Sequence, residues 1–215
     1  MRMRKIKWAV DYLDHAQSLV QPEDHKGNWK EFLECDTLHV EIGCGKGNYS
    51  LGMSNLYPEH GFIAVEKNES AAGIAAKKYD DEEHGHLCLI HKDAANIEEW
   101  FDEKEVDIIH LNFSDPWPKK RYSKRRLSSA SFLEQYKRIL KEDGQIQMKT
   151  DNSSLIEYSL LEFLNHGFKL LEVSVDYRRE EHKEDVLTEY EEKFVSLGQP
   201  IYRAVFAIAQ TEDKE

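Results

Sequence analysis

Residues 115–126 read DPWPKKRYSKRR and bring an acid, a stacking ring and a dense cationic cluster into one loop. They follow an apolar run, VDIIHLNF at 106–113, that reads as a buried strand, so Asp115 stands at that strand's end. Pro116 and Pro118 fix φ on both sides of Trp117 and remove two backbone donors, which stiffens the loop and stops the sheet. Lys119, Lys120, Arg121, Lys124, Arg125 and Arg126 follow, with Tyr122 and Ser123 among them. This combination suits a base attached to a phosphate backbone: the ring stacks, the cations hold phosphates and the acid acts on the base. The basic residues alone would also fit a solvated charge run.

A second cluster is Glu41-Ile42-Gly43-Cys44-Gly45-Lys46-Gly47, directly after the apolar run 37–42. Its glycines are spaced GxGxG, and Asn48 stands where a dinucleotide fingerprint requires a further glycine. A pyrophosphate needs free amides at a helix N-terminus and no carboxylate nearby. S-adenosylmethionine has no phosphate; its ammonium and sulfonium suit Glu41 beside glycines, Gly43 and Gly45, that permit close approach. Glu66 comes about 20 residues later, where an acid accepts from ribose hydroxyls. Asp93, after a third apolar run, can accept from an adenine amino group. The loop and the two acids together favour S-adenosylmethionine over NAD. Singly, Glu66 also reads as a solvated strand end and Asp93 as a helix cap.

These residues must be positioned by alternating elements. Strands are expected at 37–42, 61–66, 86–91, 106–113, 145–150, 168–177 and 201–209. Helices are expected at 48–57, 69–79, 97–101 and 186–197. A further helix is capped by Ser128 or Ser129 and ended by Gly144, and another runs from Asp151-Asn152-Ser153 to 163. The polar stretch 178–185 reads as a loop. The alternation predicts an α/β fold: a doubly wound, mostly parallel, Rossmann-like seven-stranded sheet with helices on both faces. In such sheets ligands bind at the carboxyl ends of the strands, where Glu41, Glu66, Asp93, Asp115 and Asp151 all fall. Residues 1–36 read as an N-terminal extension, with a short helix, a loop at 21–28 and another turn, ahead of one domain at 37–215. Arg2, Arg4, Lys5 and Lys7 would either join the phosphate patch or form a disordered tail.

The 215 residues suffice for one α/β domain with a real core. The net charge of -12 argues against nucleic acid as an average, but acids crowd at 80–83, 98–105, 180–192 and 211–215 while bases concentrate at 2–7 and 119–126. A local positive patch on an acidic protein still holds phosphates, and repulsion elsewhere discourages indiscriminate binding. No apolar run is long enough for a bilayer, and the basic N-terminus lacks a signal peptide's apolar core, so a cytoplasmic protein is expected. Cys35, Cys44 and Cys88 are too scattered for a disulfide framework or a CxxC metal site. His84, His86, His91 and His110 lack metal-ligand spacing, and no metal is expected. An open sheet edge near the last strand could pair with a second copy, making a homodimer.

The motifs EIGCGKG, NFSDPWPKKRYSKRRL at 112–127, KTDN at 149–152 and TEYEEKF…GQPIYR between Thr188 and Arg203 carry a resemblance covering nearly the whole chain in order. The sequence resembles the class I methyltransferases and, within them, the bacterial tRNA (guanine-N7)-methyltransferases. That resemblance implies methyl transfer from S-adenosylmethionine to N7 of a guanosine in the tRNA variable loop, position 46 in tRNA numbering. It implies cofactor contacts at Glu41, Glu66, Asp93 and Asp115, and guanosine or RNA contacts at Lys119, Asp151, Thr188, Glu189, Tyr190 and Glu191. Arg121, Tyr122, Ser123, Lys124, Arg125 and Arg126 become an RNA-binding segment, and Asp115 the candidate catalytic acid. Asp151, Glu189 and Glu191 are alternative acceptors for guanine's N1–H and N2 amino groups. Other roles stay open: Thr188 as a helix cap, Glu189 and Glu191 as exposed helix charges, and Tyr190 with Phe194 as a core pair. The competing functions are a methyltransferase with another acceptor, a non-catalytic nucleic-acid-binding module and an NAD-dependent oxidoreductase.

Overall fold

A computed structural model describes residues 4–210; Arg2 and the acidic tail 211–215 lie outside that span. Seven strands form one sheet: β1 (Leu38–Ile42), β2 (Gly61–Val65), β3 (His86–Ile90), β4 (Val106–Asn112), β5 (Leu140–Thr150), β6 (Phe168–Ser174) and β7 (Tyr202–Ile208). Their order is β3-β2-β1-β4-β5-β7-β6. The first five pair in parallel, and β7 runs antiparallel to both β5 and β6. The helices are α1 (Lys7–Tyr12), α2 (Trp29–Phe32), α3 (Asn48–Leu56), α4 (Glu69–Asp81), α5 (Ala130–Ile139), α6 (Ser153–Asn165) and α7 (Glu189–Ser196).

The open edge expected near the last strand is β6, beside it: β7 itself lies inside the sheet, between β5 and β6. It pairs with β5 on one side and β6 on the other, and its centre, Ala204 to Ala207, is buried. The edges are β3 and β6. Leu89 of β3 donates to the Ser18 carbonyl at 2.8 Å and its own carbonyl accepts from Val20 at 2.9 Å, so the β3 edge is covered. Covering segment and helix alike show that the described residues before 37 pack onto the sheet unit rather than hanging from it. Ala9 of α1 is fully buried against Gly73 of α4, where any Cβ would collide with the Ala9 carbonyl. Trp29 is 0% exposed and donates its indole N–H to the Trp100 carbonyl at 2.8 Å.

Two apolar layers sandwich the sheet. One contains Trp29, Val40, Phe101, Ile109, Tyr136, Phe163 and Phe206. The other contains Tyr49, Leu51, Phe62, Ala72, Ala76, Tyr79 and Leu89. Several element ends differ from the sequence expectation. Gly144 does not end a helix: α5 stops at Ile139, Leu140 is extended and pairs with Val106, and the register then shifts to Ile108↔Gln145. Gly144 is needed for close approach, since a Cβ there would lie 2.9 Å from the Asp107 carbonyl. Neither candidate serine caps α5 with its hydroxyl, which Ser129 gives to the Lys124 carbonyl and Ser128 shares with Ser159. Asn152 does cap α6, accepting from Leu155 N at 2.8 Å. The helix expected at 97–101 is a 3-10 turn at Ala94–Glu99.

Candidate active site at the carboxyl end of the sheet

The loop after β1 is tied to β2 by two amides, Gly43 N and Cys44 N, which both donate to the Val65 carbonyl at 2.8 and 3.0 Å. Gly43, Gly45 and Gly47 all adopt positive φ, +84°, +60° and +80°. A Cβ on Gly47 would collide with the Tyr79 hydroxyl, whereas a Cβ on Gly43 or Gly45 would meet nothing within 4 Å. The last two therefore border open space: a cavity of about 240 Å³ lined by Glu41, the glycine loop, Glu66, Asp93, Asp115, Trp117, Thr188, Glu189 and Tyr190, among others.

The acids around this cavity differ in how they are held. Glu41 is buried on β1, accepting from Ser50 Oγ at 2.5 Å and from Asn112 Nδ2 at 3.0 Å, and burial raises its carboxyl pKa. Glu66 accepts from Asn68 N at 2.7 Å and Gly45 N at 3.0 Å, so it also braces the loop; burial raises its pKa too. Asp93 is exposed and caps the following turn through Ala95 N at 3.1 Å. Asp115 is exposed on the cavity rim and has no hydrogen-bond or ion-pair partner among the described residues.

S-adenosylmethionine fits these residues on observations of the cavity itself. Its wall near Gly43 and Gly45 is a cradle that any side chain would fill. Asn48, at the first turn of α3 and on the cavity wall, has a buried Oδ1 with no donor, while its Nδ2 is committed to Glu189 Oε1 at 3.0 Å. An unpartnered acceptor among carboxylates calls for a ligand rich in donors and positive charge.

The loop after β4 is strained. Phe113 and Trp117 hold positive φ of +49° and +39°, flanking Asp115. Arg126 clamps this turn, donating Nε to the Pro116 carbonyl at 2.9 Å and Nη2 to that of Trp117 at 3.2 Å. Its guanidinium also lies 4.1 Å from the Tyr158 ring centroid, so Arg126 is committed to the fold of the loop. Arg125 lies over the Trp117 and Tyr122 rings, 5.0 Å from each centroid, and also lines the cavity. Lys119, Arg121 and Lys124 are exposed, and Tyr122 and Ser123 are half-buried in the 3-10 turn Lys120–Arg125.

Across the cavity, Thr188 and Glu191 form a capping box at the start of α7: Thr188 Oγ1 accepts from Glu191 N at 3.0 Å and Glu191 Oε2 accepts from Thr188 N at 2.8 Å. Thr188, Glu189 and Tyr190 line the cavity; Lys119, Asp151 and Glu191 do not. Glu191 is no exposed helix charge, being 0% exposed and bonded to Lys149 and Arg178. Tyr190 is not core either: it is 56% exposed and stacks on Phe113 with centroids 5.8 Å apart. Glu189 links α7 to the glycine loop through Lys46 at 3.0 Å and through Asn48.

Sequence reasoning missed Lys46, Asn48, Phe113 and the residues beneath the site. The one available signal was the opposed charge of Arg178 and Asp185 in the segment read as polar loop, close before the acids of the next helix, Glu191 among them. A chain of side chains reaches that segment from the surface: His60 Nδ1 to His39 Nε2 at 3.0 Å, His39 Nδ1 to His110 Nε2 at 2.9 Å, His110 Nδ1 to Tyr49 Oη at 3.2 Å. Tyr49 donates to Asp185 Oδ1 at 2.9 Å. Because the carboxylate can only accept, Tyr49 accepts from His110, so His110 and His39 each carry their proton on Nδ1 and His39 Nε2 accepts from His60. Burial, helped by the neighbouring rings, holds His39 down at about 2, and burial with the Lys149 charge holds His110 at about 3, so both are neutral.

Comparison with known proteins gives these features a family. The family model described as "Putative methyltransferase" matches residues 36–204. The tRNA (guanine-N(7)-)-methyltransferase of Oceanobacillus iheyensis is 43% identical over 206 residues, 94% of this chain and 97% of that protein. The enzyme of the same description from Listeria monocytogenes is 44% identical, covering 94% and 96%. Among solved structures, the 16S rRNA methyltransferase KamB superposes with a TM-score of 0.63 at 14% identity, covering 86% of this chain and 94% of that one. A SAM-dependent methyltransferase from Aquifex aeolicus superposes with 0.57 at 15% identity, covering 96% and 100%. The distant structures share the S-adenosylmethionine-dependent methyltransferase fold, and the near relatives match along almost their whole length: the chain belongs to the tRNA (guanine-N(7)-)-methyltransferase family.

Proposed function

We propose that this chain transfers a methyl group from S-adenosylmethionine to N7 of a guanosine in tRNA, at variable-loop position 46, with Asp115 as its catalytic carboxylate. The observation that carries this reading is the unpartnered Asp115 carboxylate on the cavity rim, between the glycine loop and the cationic turn. Bound in the cradle, S-adenosylmethionine supplies an electrophilic methyl group on a sulfonium. Glu41, Gly43, Gly45, Glu66 and Asp93 hold the cofactor, and Asn48 Oδ1 gains the donor it lacks.

Guanine N7 carries a free lone pair, so no side chain has to remove a proton before transfer. The residues' work is orientation, which contributes up to about 7–11 kcal/mol in favourable cases. The methylated ring is cationic, and the Asp115 carboxylate offsets that charge as it develops. Tyr190 and Trp117 offer ring faces to the base. Thr188 and Glu189 offer acceptors for its N1–H and N2 groups, a role for which Asp151 and Glu191 are less well placed because neither lines the cavity. Lys119, Arg121, Lys124 and Arg125 hold phosphates, with Tyr122, Ser123 and Arg126 shaping the turn that presents them.

The proposed setting is the cytoplasm; among the described residues no helix is long and apolar enough to cross a membrane. The homodimer is also kept as a proposal, with β6, beside the last strand, as its edge, supported by exposed Leu171, Val173 and Val175 along that edge. Sedimentation of the purified chain tests it. The function is tested by incubating the protein with labelled S-adenosylmethionine and unmodified tRNA and analysing the nucleosides. Labelled 7-methylguanosine is expected; label on another nucleoside, or on none, refutes the acceptor assignment.

A further inference from the structure

We infer that Lys149, Arg178, Asp185 and Glu191 form a buried charge cluster that positions the acceptor wall, Thr188 to Tyr190, and that Glu191 acts within it rather than on the guanine. This rests on the proposed function only in calling that wall the acceptor side. The side chains are 3%, 8%, 7% and 0% exposed. Lys149 Nζ lies 2.7 Å from Asp185 and 3.0 Å from Glu191; Arg178 lies 2.5 Å from Asp185 and 2.9 Å from Glu191. Two cations and two anions cancel, and every carboxylate oxygen is used. Glu191 Oε1 takes Arg178 Nε, and Oε2 takes Lys149 and the Thr188 amide. Asp185 Oδ2 takes Lys149 and Arg178, and Oδ1 takes Tyr49. Such an enclosed cluster gains little stability over apolar packing, because four desolvated charges offset their own attraction. Its use is registry.

The helix shows what is being registered. α7 has eight residues, too few to be stable alone, and its only buried residue is Glu191. It is therefore docked by a carboxylate, with no buried apolar side chain of its own. Lys149 closes the link to the opposite wall. Its side chain grips Glu191 while its carbonyl accepts from Phe113 N at 2.8 Å, at the end of β4, two residues before Asp115. The Phe113 ring then stacks on Tyr190 and Phe194, with centroids 5.8 and 6.1 Å apart. One lysine thus sets the spacing between the strand end bearing Asp115 and the helix bearing Glu189 and Tyr190.

The test compares Lys149→Met, Glu191→Gln and the double variant in the full-length chain by hydrogen exchange and by tRNA methylation kinetics. In both single variants residues 185–196 are expected to lose exchange protection while β1 and β2 keep theirs. In the kinetics, kcat should fall by about 100-fold, the cost of roughly an ångström of misplacement, with adenosylhomocysteine affinity changed less than about threefold. The double variant should lose no more than the worse single, and Lys149→Arg should recover part of the loss. Unchanged protection at 185–196 in Lys149→Met overturns the inference whether or not the wild type methylates tRNA. It is equally overturned if Glu191→Gln is impaired with Lys149→Met near wild type, or if the two losses multiply, since Glu191 would then act on the substrate alone. Should Lys149→Met fail to fold, Arg178→Lys, which keeps the charge and loses the fork, gives the same readings. A wild type inactive on tRNA but with the expected exchange pattern would instead sink the proposed acceptor.

Discussion

Lowering the pH from 7 to 5.5 is expected to destabilise this protein through His39 and His110. Both are buried and neutral, held at about 2 and about 3, against an ordinary value of 6.5 in the unfolded chain. The folded values are depressed for groups that carry charge when protonated. Above 6.5 neither state binds the proton, and the full stability is present. As pH falls below 6.5 the unfolded chain takes up protons that the folded chain refuses, and stability is lost until the folded values are reached. For one histidine the change between pH 7 and 5.5 is RT ln of the ratio of unfolded binding terms, about 1.3 kcal/mol; for two it is about 2.5 kcal/mol. Glu41 and Glu66, whose carboxyl pKa values are raised by burial, work in the opposite sense, so this is an upper figure. Urea titrations across that range measure it, with an unchanged slope showing that the same surface is exposed at each pH. The drop should vanish in a His39→Gln/His110→Gln variant. Stability at pH 5.5 within about 0.5 kcal/mol of the pH 7 value, or the same drop in the double variant, would refute the reasoning.

Other consequences are open to simpler measurements. Asp115→Ala should keep tRNA binding and lose most methyl transfer, since the residue bonds to no other described side chain; weakened folding or lost tRNA binding would count against its catalytic role. Replacing Arg121 and Lys124, both exposed and outside the cavity lining, by alanine should weaken tRNA binding and reduce the log–log salt slope by about one for each phosphate no longer neutralised, leaving cofactor affinity unchanged. Arg126→Ala, by contrast, should disturb the loop itself, visible as altered Trp117 fluorescence without tRNA. Gly45→Ala puts a side chain at φ +60° and a methyl group into the cradle, and calorimetry should show adenosylhomocysteine affinity reduced by about tenfold or more. Trp29→Ala should cost about 3–5 kcal/mol in urea unfolding, because the side chain fills the core under the sheet.

The strand ends that carry the chemistry were legible in the sequence for a local reason. A parallel strand buried on both faces is a continuous apolar run, and the first polar residue after it marks the carboxyl edge where ligands bind. Glu41, Glu66, Asp93, Asp115 and Asp151 are all found this way, and all but Asp151 line one cavity. The glycine spacing and the prolines around Trp117 are also local, acting through φ alone. What tertiary structure decided was pairing between distant residues. Nothing in residues 202–208 says that β7 inserts between β5 and β6, because its apolar centre suits either neighbour. Gly144 looks like a helix stop until Asp107 is seen beside it. Trp29 read as part of an appendage, because its burial depends on a partner 71 residues away. The clearest case is Glu191. On a helix of acids it looks solvated, and only the approach of Lys149 from β5 and Arg178 from the turn after β6 allows its charge to be buried. Periodicity records which residues shun water; which charges are enclosed together depends on contacts that no local pattern contains.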